Sequence, residues 1–185
     1  MSFVVTNKYN GSFMGSDDIN PWDIPEEENG FIPTLNEMGY MTSYLDVVSQ
    51  AFIEDSKGSS MPGLEIGCAY GKVVKELLKG DTETSIIAND LDSRHLNILK
   101  NSLNDSELNR VEFRAGALPN DLDFQNVSIS NILACRVLHF LDGTNVKHAL
   151  LKMHSWLEDG GKIYLVVESP YLRNFSSFIP EFENR

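Results

Sequence analysis

The sequence has little cysteine, little positive charge and no long apolar run. Its two cysteines, Cys68 and Cys135, lie in apolar or turn segments, which favours reduced thiols in a cytoplasmic protein over a disulfide framework. No stretch approaches the length of a membrane span, and the N-terminus lacks the basic-then-apolar pattern of a signal peptide. The 185 residues are enough for one domain that buries its own core.

Positive charge is scarce, because 15 Lys and Arg residues stand against 27 Asp and Glu residues, a formal net charge of −12 at pH 7. A protein that binds nucleic acid needs a basic face, since phosphate contacts supply much of its affinity. The sequence has no cluster of lysines and arginines to form one, which weighs against a nucleic-acid partner. An acidic surface favours a neutral or cationic small molecule, or a protein, as the partner.

Metal-ligating residues are not grouped. The four histidines, His95, His139, His148 and His154, lack the spacing of a ligand set, and no metal site is predicted. Internal repeats and low-complexity segments are also absent from the sequence.

The most informative feature that is present is a strand–turn–helix pattern over residues 64–71, Leu-Glu-Ile-Gly-Cys-Ala-Tyr-Gly. Glycine in such a turn lets a ligand approach bare backbone. Two phosphate-binding motifs are excluded by the spacing. A dinucleotide fingerprint that starts at Gly67 would have its third glycine at Lys72, and a P-loop has four residues between its glycines, whereas three separate Gly67 from Gly71.

A second apolar run, residues 85–92, ends in two acids. Asp90 lies 19 residues after Gly71, close to the offset of about 20 residues at which a carboxylate follows the second strand of a nucleoside-binding unit. A carboxylate there can accept both ribose hydroxyls. The alternative is that Asp90 or Asp92 only caps the next helix, Ser93 to about Leu103. We assign the ribose to Asp90 and the helix cap to Asp92.

Later segments continue the alternation of strands and helices. Residues 128–135 are predicted as a buried strand, followed by Val-Leu-His-x-Leu at 137–141. A helix is predicted near 145–157. Gly160 and Gly161 then end this helix and lead into another strand that reaches Glu168.

Together these segments resemble the class I S-adenosylmethionine-dependent methyltransferases. The acidic-x-Gly-x-(Gly/Ala)-x-Gly motif of that family is matched by Glu65, Gly67, Ala69 and Gly71, and its Leu-x-Pro-Gly-Gly turn is matched with Asp159 in place of proline. Motif order and spacing agree over residues 62–168. The resemblance implies an α/β fold, a Rossmann-like three-layer sandwich with a mostly parallel sheet, five strands in this chain, and helices on both faces.

The resemblance also implies a function, the transfer of a methyl group from S-adenosylmethionine to a small-molecule acceptor by in-line displacement, which leaves S-adenosylhomocysteine. The cofactor contacts that it implies are Glu65, Gly67, Cys68, Ala69, Gly71, Asp90, Leu91, Ala117, Leu118, Ala134 and Cys135. His139 is the candidate general base, although histidine at this position in the family is frequently structural. Arg136 is the candidate for binding an acceptor carboxylate.

Two departures from the family pattern keep other functions open. Ala117 stands where the family usually has an acid that meets the adenine amino group, and Asp121 or Asp123 is a candidate substitute. Residues 169–185 are too few for the last two strands of the family sheet, so the chain is interpreted as truncated. A non-catalytic S-adenosylmethionine-binding protein and an aminopropyltransferase-like enzyme are the alternatives, and the oligomeric state stays open.

The chain is predicted to be one domain, with an N-terminal arm and helix at 1–56, the cofactor-binding core at 61–168 and a short C-terminal segment at 169–185. Residues 2–32 show no regular pattern, whereas Thr34-Leu35-Asn36-Glu37 matches a capping box and predicts the start of a helix. The N-terminal part is a possible lid over the cofactor. The aromatic candidates for its pocket wall are Tyr9, Phe13, Trp22, Tyr40 and Tyr44.

Overall fold

A computed structural model of the chain describes residues 30–80, 83–168, 171 and 179–180. Its strands are β1 (Phe31–Pro33), β2 (Tyr40–Thr42), β3 (Gly63–Ile66), β4 (Ile86–Asp90), β5 (Val111–Ala115), β6 (Ile129–Cys135) and β7 (Leu157–Val166). Its helices are α1 (Val47–Ser56), α2 (Lys72–Leu78), α3 (Ser93–Asn101), α4 (Asp105–Leu108) and α5 (Gly143–Trp156), with a short 3-10 helix at Leu138–Phe140.

Five parallel strands form the central sheet in the order β5-β4-β3-β6-β7. The chain enters this sheet at its middle strand β3, moves outward through β4 and β5, and then returns to the other side of β3 with β6 and β7. This reversal leaves a crevice beyond the carboxyl ends of β3 and β6, where ligands of open α/β sheets bind. The predicted five-stranded, Rossmann-like α/β fold is confirmed.

Helices cover both faces of the sheet and bury two apolar clusters. On one face α1, α2 and α3 pack through Phe52, Leu77 and Leu99, which are fully buried. On the other face α5 packs through Met153 and Trp156. Burial of each such side chain contributes roughly 1.5–3 kcal/mol, which makes these layers the main source of the sheet's rigidity.

Carboxylates begin three of the helices and set the position of the loops beside the crevice. Asp46 accepts from the amides of Val48 and Ser49 at the start of α1. Asp92 accepts from the Arg94 amide at the start of α3, so the predicted cap is confirmed. Asp142 accepts from the Asn145 amide at the start of α5.

The predicted helix start at Thr34 is wrong. Thr34 closes the turn of an antiparallel hairpin, β1–β2 (31–42), in which its Oγ1 donates to the carbonyl oxygen of Gly39 at 2.9 Å. Glu37 has a φ of 57°, which an α-helix does not accommodate. The helix begins instead at Val47. Tyr9, Phe13 and Trp22 lie outside the described residues, as does most of 169–185.

None of the helices in the described part of the chain combines the length and apolar character that a membrane span needs.

Candidate functional site

A cavity of about 790 Å³ lies at the carboxyl edge of the sheet, where the strand order reverses. The ends of β3, β4 and β6 form its floor, and the β1–β2 hairpin forms part of its wall. The predicted site residues that line it are Glu65, Gly67, Cys68, Ala69, Asp90, Leu91, Ala117, Leu118, Cys135, Arg136 and His139. Tyr40 and Tyr44, predicted as pocket walls, also line it.

Gly71 and Ala134 are not among the cavity's lining residues. Ala134 is wholly buried in the core beneath the cavity. Gly71 precedes α2 with a φ of +75°, and a Cβ atom built on it would lie 2.3 Å from Cδ1 of Leu99. Its small size therefore serves the close packing of α2 against α3.

The turn after β3 presents backbone to the cavity. Gly67 has a φ of +74°, and a Cβ atom built on it would lie 2.5 Å from Cγ2 of Val137. The amides of Gly67 and Cys68 donate to the carbonyl oxygen of Asn89, at 2.9 and 2.8 Å. The Asn89 side chain donates to the carbonyl oxygens of Arg114 and Gly116. Asn89, which we did not predict, thus joins the turn to β4 and to the segment after β5.

Asp90 ends β4 and is 5 % exposed. Its Oδ2 accepts from the Ala69 amide at 2.8 Å. Its Oδ1 accepts from the Asp92 amide at 2.9 Å and from Nδ1 of His95 at 3.0 Å. A carboxylate has about four acceptor positions, so this one keeps capacity for a ligand hydroxyl.

The β1–β2 hairpin is fastened beside Asp90, through contacts that the sequence did not predict. The Leu35 amide donates to Nε2 of His95 at 2.9 Å, and the Tyr70 hydroxyl donates to the Pro33 carbonyl oxygen at 2.8 Å. The Tyr70 and His95 rings meet edge to face, with 5.1 Å between centroids. Leu35 and His95 are 60 residues apart, so no local pattern signals their contact.

Glu65 is 4 % exposed, and its Oε2 has no hydrogen-bond partner among the residues that the structure describes. Burial raises the pKa of this carboxyl to about 8. A buried polar atom without a partner costs about 1–3 kcal/mol, and a cationic ligand group would supply the missing partner. The methionine ammonium of S-adenosylmethionine is such a group, so this orphaned oxygen fits the cofactor that the resemblance implies.

Charged side chains cluster around Arg136 at the end of β6. Its Nε lies 3.4 Å from Oε1 of Glu168, and its Nη1 lies 3.8 Å from Oδ2 of Asp46. The Nη1 atom also donates to Sγ of Cys135 at 3.1 Å. Asp46 and Glu168 were not predicted as site residues, yet both line the cavity.

Burial shifts the pKa values of the other reactive side chains toward their uncharged forms. Burial lowers the pKa of His139, which favours the neutral imidazole, and the His139 ring lies 4.2 Å from that of Phe140. Burial raises the pKa of the Cys68 thiol well above its ordinary value and that of Cys135 to about 11. Neither thiol is therefore an activated nucleophile.

The acids proposed to replace the missing one at Ala117 occupy different places. Asp121 lies beside it, and its Oδ2 accepts from the Ala117 amide at 3.0 Å. Asp123 lies 3.8 Å from Nζ of Lys152 on α5. Among the described residues, no three His, Cys, Asp or Glu side chains are grouped as a metal site.

Comparison with solved structures shows the same fold at low sequence identity. A protein from Methanococcus maripaludis, assigned as an S-adenosyl-L-methionine-dependent methyltransferase, superposes with a TM-score of 0.55 at 20% identity, over 74% of this chain and 61% of its own. A TehB-like S-adenosylmethionine-dependent methyltransferase from Corynebacterium glutamicum superposes with a TM-score of 0.51 at 20% identity, over 64% of this chain and 62% of its own. The glycopeptide N-methyltransferase MtfA superposes with a TM-score of 0.53 at 16% identity, over 65% of this chain and 53% of its own.

The chain thus spans about three fifths of the length of the first two of these proteins. No curated protein sequence matches it. The profile of one family, described as the methyltransferase domain, matches residues 64–161, more than half of the chain. The matched range holds the glycine turn, Asp90 and the ends of β4 and β6. The chain therefore belongs to the class I S-adenosylmethionine-dependent methyltransferases, the family that its glycine turn resembles, and S-adenosylmethionine is the cofactor of that family.

Proposed function

We propose that this chain transfers a methyl group from S-adenosylmethionine to a small-molecule acceptor. One juxtaposition carries the proposal: the Gly67–Ala69 turn, the Asp90 carboxylate and the Glu65 carboxyl, with its Oε2 unpaired among the described residues, meet in one cavity. The cofactor supplies a methyl group on a sulfonium sulfur, and the bond from the acceptor to carbon forms as the carbon–sulfur bond breaks. The protein has to hold both reactants in line and exclude water.

Each part of the cofactor has a proposed partner. Asp90 accepts a hydrogen bond from a ribose hydroxyl, and Glu65 meets the methionine ammonium. The backbone of the Gly67–Ala69 turn passes beside the methionine part. Leu91 and Leu118 border the adenine, whose amino group meets backbone near Ala117. Cys68 and Cys135 line the same cavity and are proposed to contact the cofactor as part of its wall.

The acceptor is proposed to enter between Arg136, His139, the hairpin residue Tyr40 and the nearby Tyr44. His139, held neutral by burial, can accept a proton from an acceptor that must lose one. Arg136 would bind an acceptor carboxylate by exchanging one of its present carboxylate neighbours.

A small-molecule acceptor is favoured by cavity size and by charge. Binding cavities for small molecules measure about 300–1,000 Å³, a range that contains this one of about 790 Å³. The net charge of −12 disfavours a nucleic-acid substrate. The two free thiols support a reducing compartment, and we propose the cytoplasm.

The first test is calorimetric titration of the purified chain with S-adenosylmethionine and S-adenosylhomocysteine, with NAD and ATP as controls. We expect micromolar binding of the first two ligands and none of the controls. Absence of binding to either, in a chain whose circular dichroism is that of a folded α/β protein, would overturn the proposal.

The second test separates catalysis from binding alone. Ala117, in place of the family's acid, favours a second candidate function, a chain that binds the cofactor without turnover. Formation of S-adenosylhomocysteine is followed with panels of amines, phenols, thiols and carboxylic acids. Acceptor-dependent product supports the methyltransferase, whereas tight binding with no product from any class supports the non-catalytic alternative.

A further inference from the structure

His95 is 1 % exposed, and both of its ring nitrogens are engaged. Nδ1 lies 3.0 Å from Oδ1 of Asp90, and Nε2 accepts from the Leu35 amide at 2.9 Å. A backbone amide can only donate, so Nε2 carries the lone pair and Nδ1 carries the proton. The ring is thus a neutral imidazole that donates to Asp90 and accepts from Leu35.

This imidazole links two parts of the cavity wall. Asp90 lies on the floor, at the end of β4, whereas Leu35 lies in the turn of the β1–β2 hairpin. Arg94 reinforces the link, since its Nη2 donates to the Leu35 carbonyl oxygen at 3.0 Å. Toward the far side of the cavity, a Cβ atom built on Gly39 would lie 3.6 Å from Cζ of Phe140. The hairpin therefore spans the cavity from His95 to Phe140.

We propose that His95 is a positioning residue that couples cofactor binding to closure of the β1–β2 hairpin. The inference rests on the proposed function, because it takes Asp90 as the acceptor for a ribose hydroxyl. A ligand on Asp90 restrains the carboxylate in the orientation that accepts from Nδ1, and the ring so held presents Nε2 to Leu35. Coupling is reciprocal, so a docked hairpin also raises cofactor affinity.

A role in folding alone makes a different prediction. A histidine that merely satisfies two buried partners would hold the Leu35 amide equally with and without cofactor. The discriminating observable is therefore the change in Leu35 amide exchange when ligand is added, and the level of exchange in the free protein is not decisive.

Two substitutions separate the two nitrogens. In His95→Asn the side-chain amide nitrogen takes the place of Nδ1 and the acceptor for Leu35 is lost. In His95→Gln the side-chain oxygen takes the place of Nε2 and the donor to Asp90 is lost. His148→Gln, on the exposed side of α5, is the matched control. Leu35 exchange is followed by NMR with and without S-adenosylhomocysteine, and the dissociation constant is measured by calorimetry.

We expect S-adenosylhomocysteine to slow Leu35 exchange by at least about fivefold in the wild type and in His148→Gln. Neither His95 variant should retain this slowing, and both should bind the ligand about 5–30 times more weakly. Equal slowing in the His95 variants, or wild-type affinity, would overturn the coupling and leave the proposed function standing. Failure of the wild type to bind would overturn both.

Arg94→Ala provides a second variant in case the His95 variants fold poorly. Arg94 is partly exposed, and its loss removes the hydrogen bond to the Leu35 carbonyl oxygen and the ion pair with Asp92, while the side chains of His95 and Asp90 keep their mutual contact. Faster Leu35 exchange together with weaker S-adenosylhomocysteine binding would support the coupling. Faster exchange with unchanged affinity would contradict it.

Discussion

The Asp90 carboxylate accepts a hydrogen bond from the backbone amide of Ala69, with 2.8 Å between Oδ2 and the amide nitrogen. This bond joins the end of β4 to the glycine turn after β3. Ala69 has a φ of 45°, an uncommon conformation for a residue with a side chain. One carboxylate thus restrains the strained turn and supplies the acceptor proposed for the ribose.

Asp90→Asn should weaken cofactor binding with little change in volume. The amide nitrogen would face one of the donors that Asp90 now accepts from, and the charge available to the ribose would be lost. Loss of a hydrogen bond to a charged group costs about 1.5–3 kcal/mol, roughly a 10–150-fold rise in the dissociation constant. Calorimetric titration with S-adenosylhomocysteine measures this change in the dissociation constant. Asp105→Asn, at an exposed acid in the first turn of α4, is the control and should bind normally.

Glu65 should make the stability depend on pH. Burial raises its folded-state pKa to about 8 from 4.5, so the unfolded chain releases this proton at lower pH than the folded one. The free energy of unfolding therefore falls as pH rises from about 4.5 to about 8, by up to about 1.4 kcal/mol per unit. Urea unfolding across this window should show the slope in the wild type and in Glu54→Gln, an exposed control. A slope that persists unchanged in Glu65→Gln would refute this assignment.

Cofactor binding should release a proton through the same residue. If the methionine ammonium pairs with the Glu65 carboxylate, the bound state favours the ionised carboxyl and lowers its pKa. Affinity for S-adenosylhomocysteine should therefore rise as pH increases toward about 8. Calorimetry in two buffers of different ionisation enthalpy counts the protons released. Ligand binding to Glu65→Gln should release fewer protons than binding to the wild type. An unchanged number of protons would contradict the proposed pairing of Glu65 with the methionine ammonium.

Gly71→Ala and Gly80→Ala form a matched pair. Both glycines have left-handed φ values, +75° and +71°, so both substitutions carry a similar backbone cost of about 1–2 kcal/mol. The added methyl group at position 71 would meet the fully buried Leu99, whereas at position 80 none of the described residues would lie within 4 Å of it. Chemical denaturation should show a further loss of about 1–3 kcal/mol for Gly71→Ala. Equal losses of stability in the two variants would contradict this prediction, since they would show that Leu99 moves aside from the added methyl group at no cost in stability.

Tyr70→Phe should loosen the β1–β2 hairpin. The Pro33 carbonyl oxygen would lose its 2.8 Å hydrogen bond, at a cost of about 0.5–1.5 kcal/mol, while the edge-to-face packing on His95 remains. Amide exchange should rise within 31–42 more than in the sheet. Tyr164→Phe removes a hydroxyl that donates to Asp55 and is the control. A hairpin whose exchange is the same in both variants would show that Tyr70 does not fasten it.

The sequence predicts the site best where a function depends on neighbouring residues. The glycine turn, Asp90 and the Asp92 cap each follow from a strand end, a glycine or an acid at a fixed offset. Gly71 belongs to the same motif, yet its packing against Leu99 depends on how α2 and α3 lie together. The pattern thus identified the segment, and the packing separated the residues that line the cavity from those that support it.

The β1–β2 hairpin is the element that the local sequence pattern predicted wrongly. Thr34-Leu35-Asn36-Glu37 satisfies a helix-capping pattern, but the Thr34 hydroxyl can equally close a turn on Gly39. The turn forms instead of a helix because the Pro33 carbonyl oxygen is hydrogen-bonded to Tyr70 and the Leu35 amide to His95. Both partners are far away along the chain.

The sequence by itself determined the alternation of strands and helices from β3 to β7, the glycine turn after β3 and the carboxylate at the end of β4. These depend on apolar spacing and on residues close together along the chain, which exert their effect wherever the segment lies. Only the tertiary structure decided the pairing of His95 with Leu35, the carboxylates around Arg136 and the burial that raises the pKa of Glu65. Those properties arise between segments that meet only when the sheet is assembled, because hydrogen bonds and desolvation depend on distance in space and not on distance in sequence.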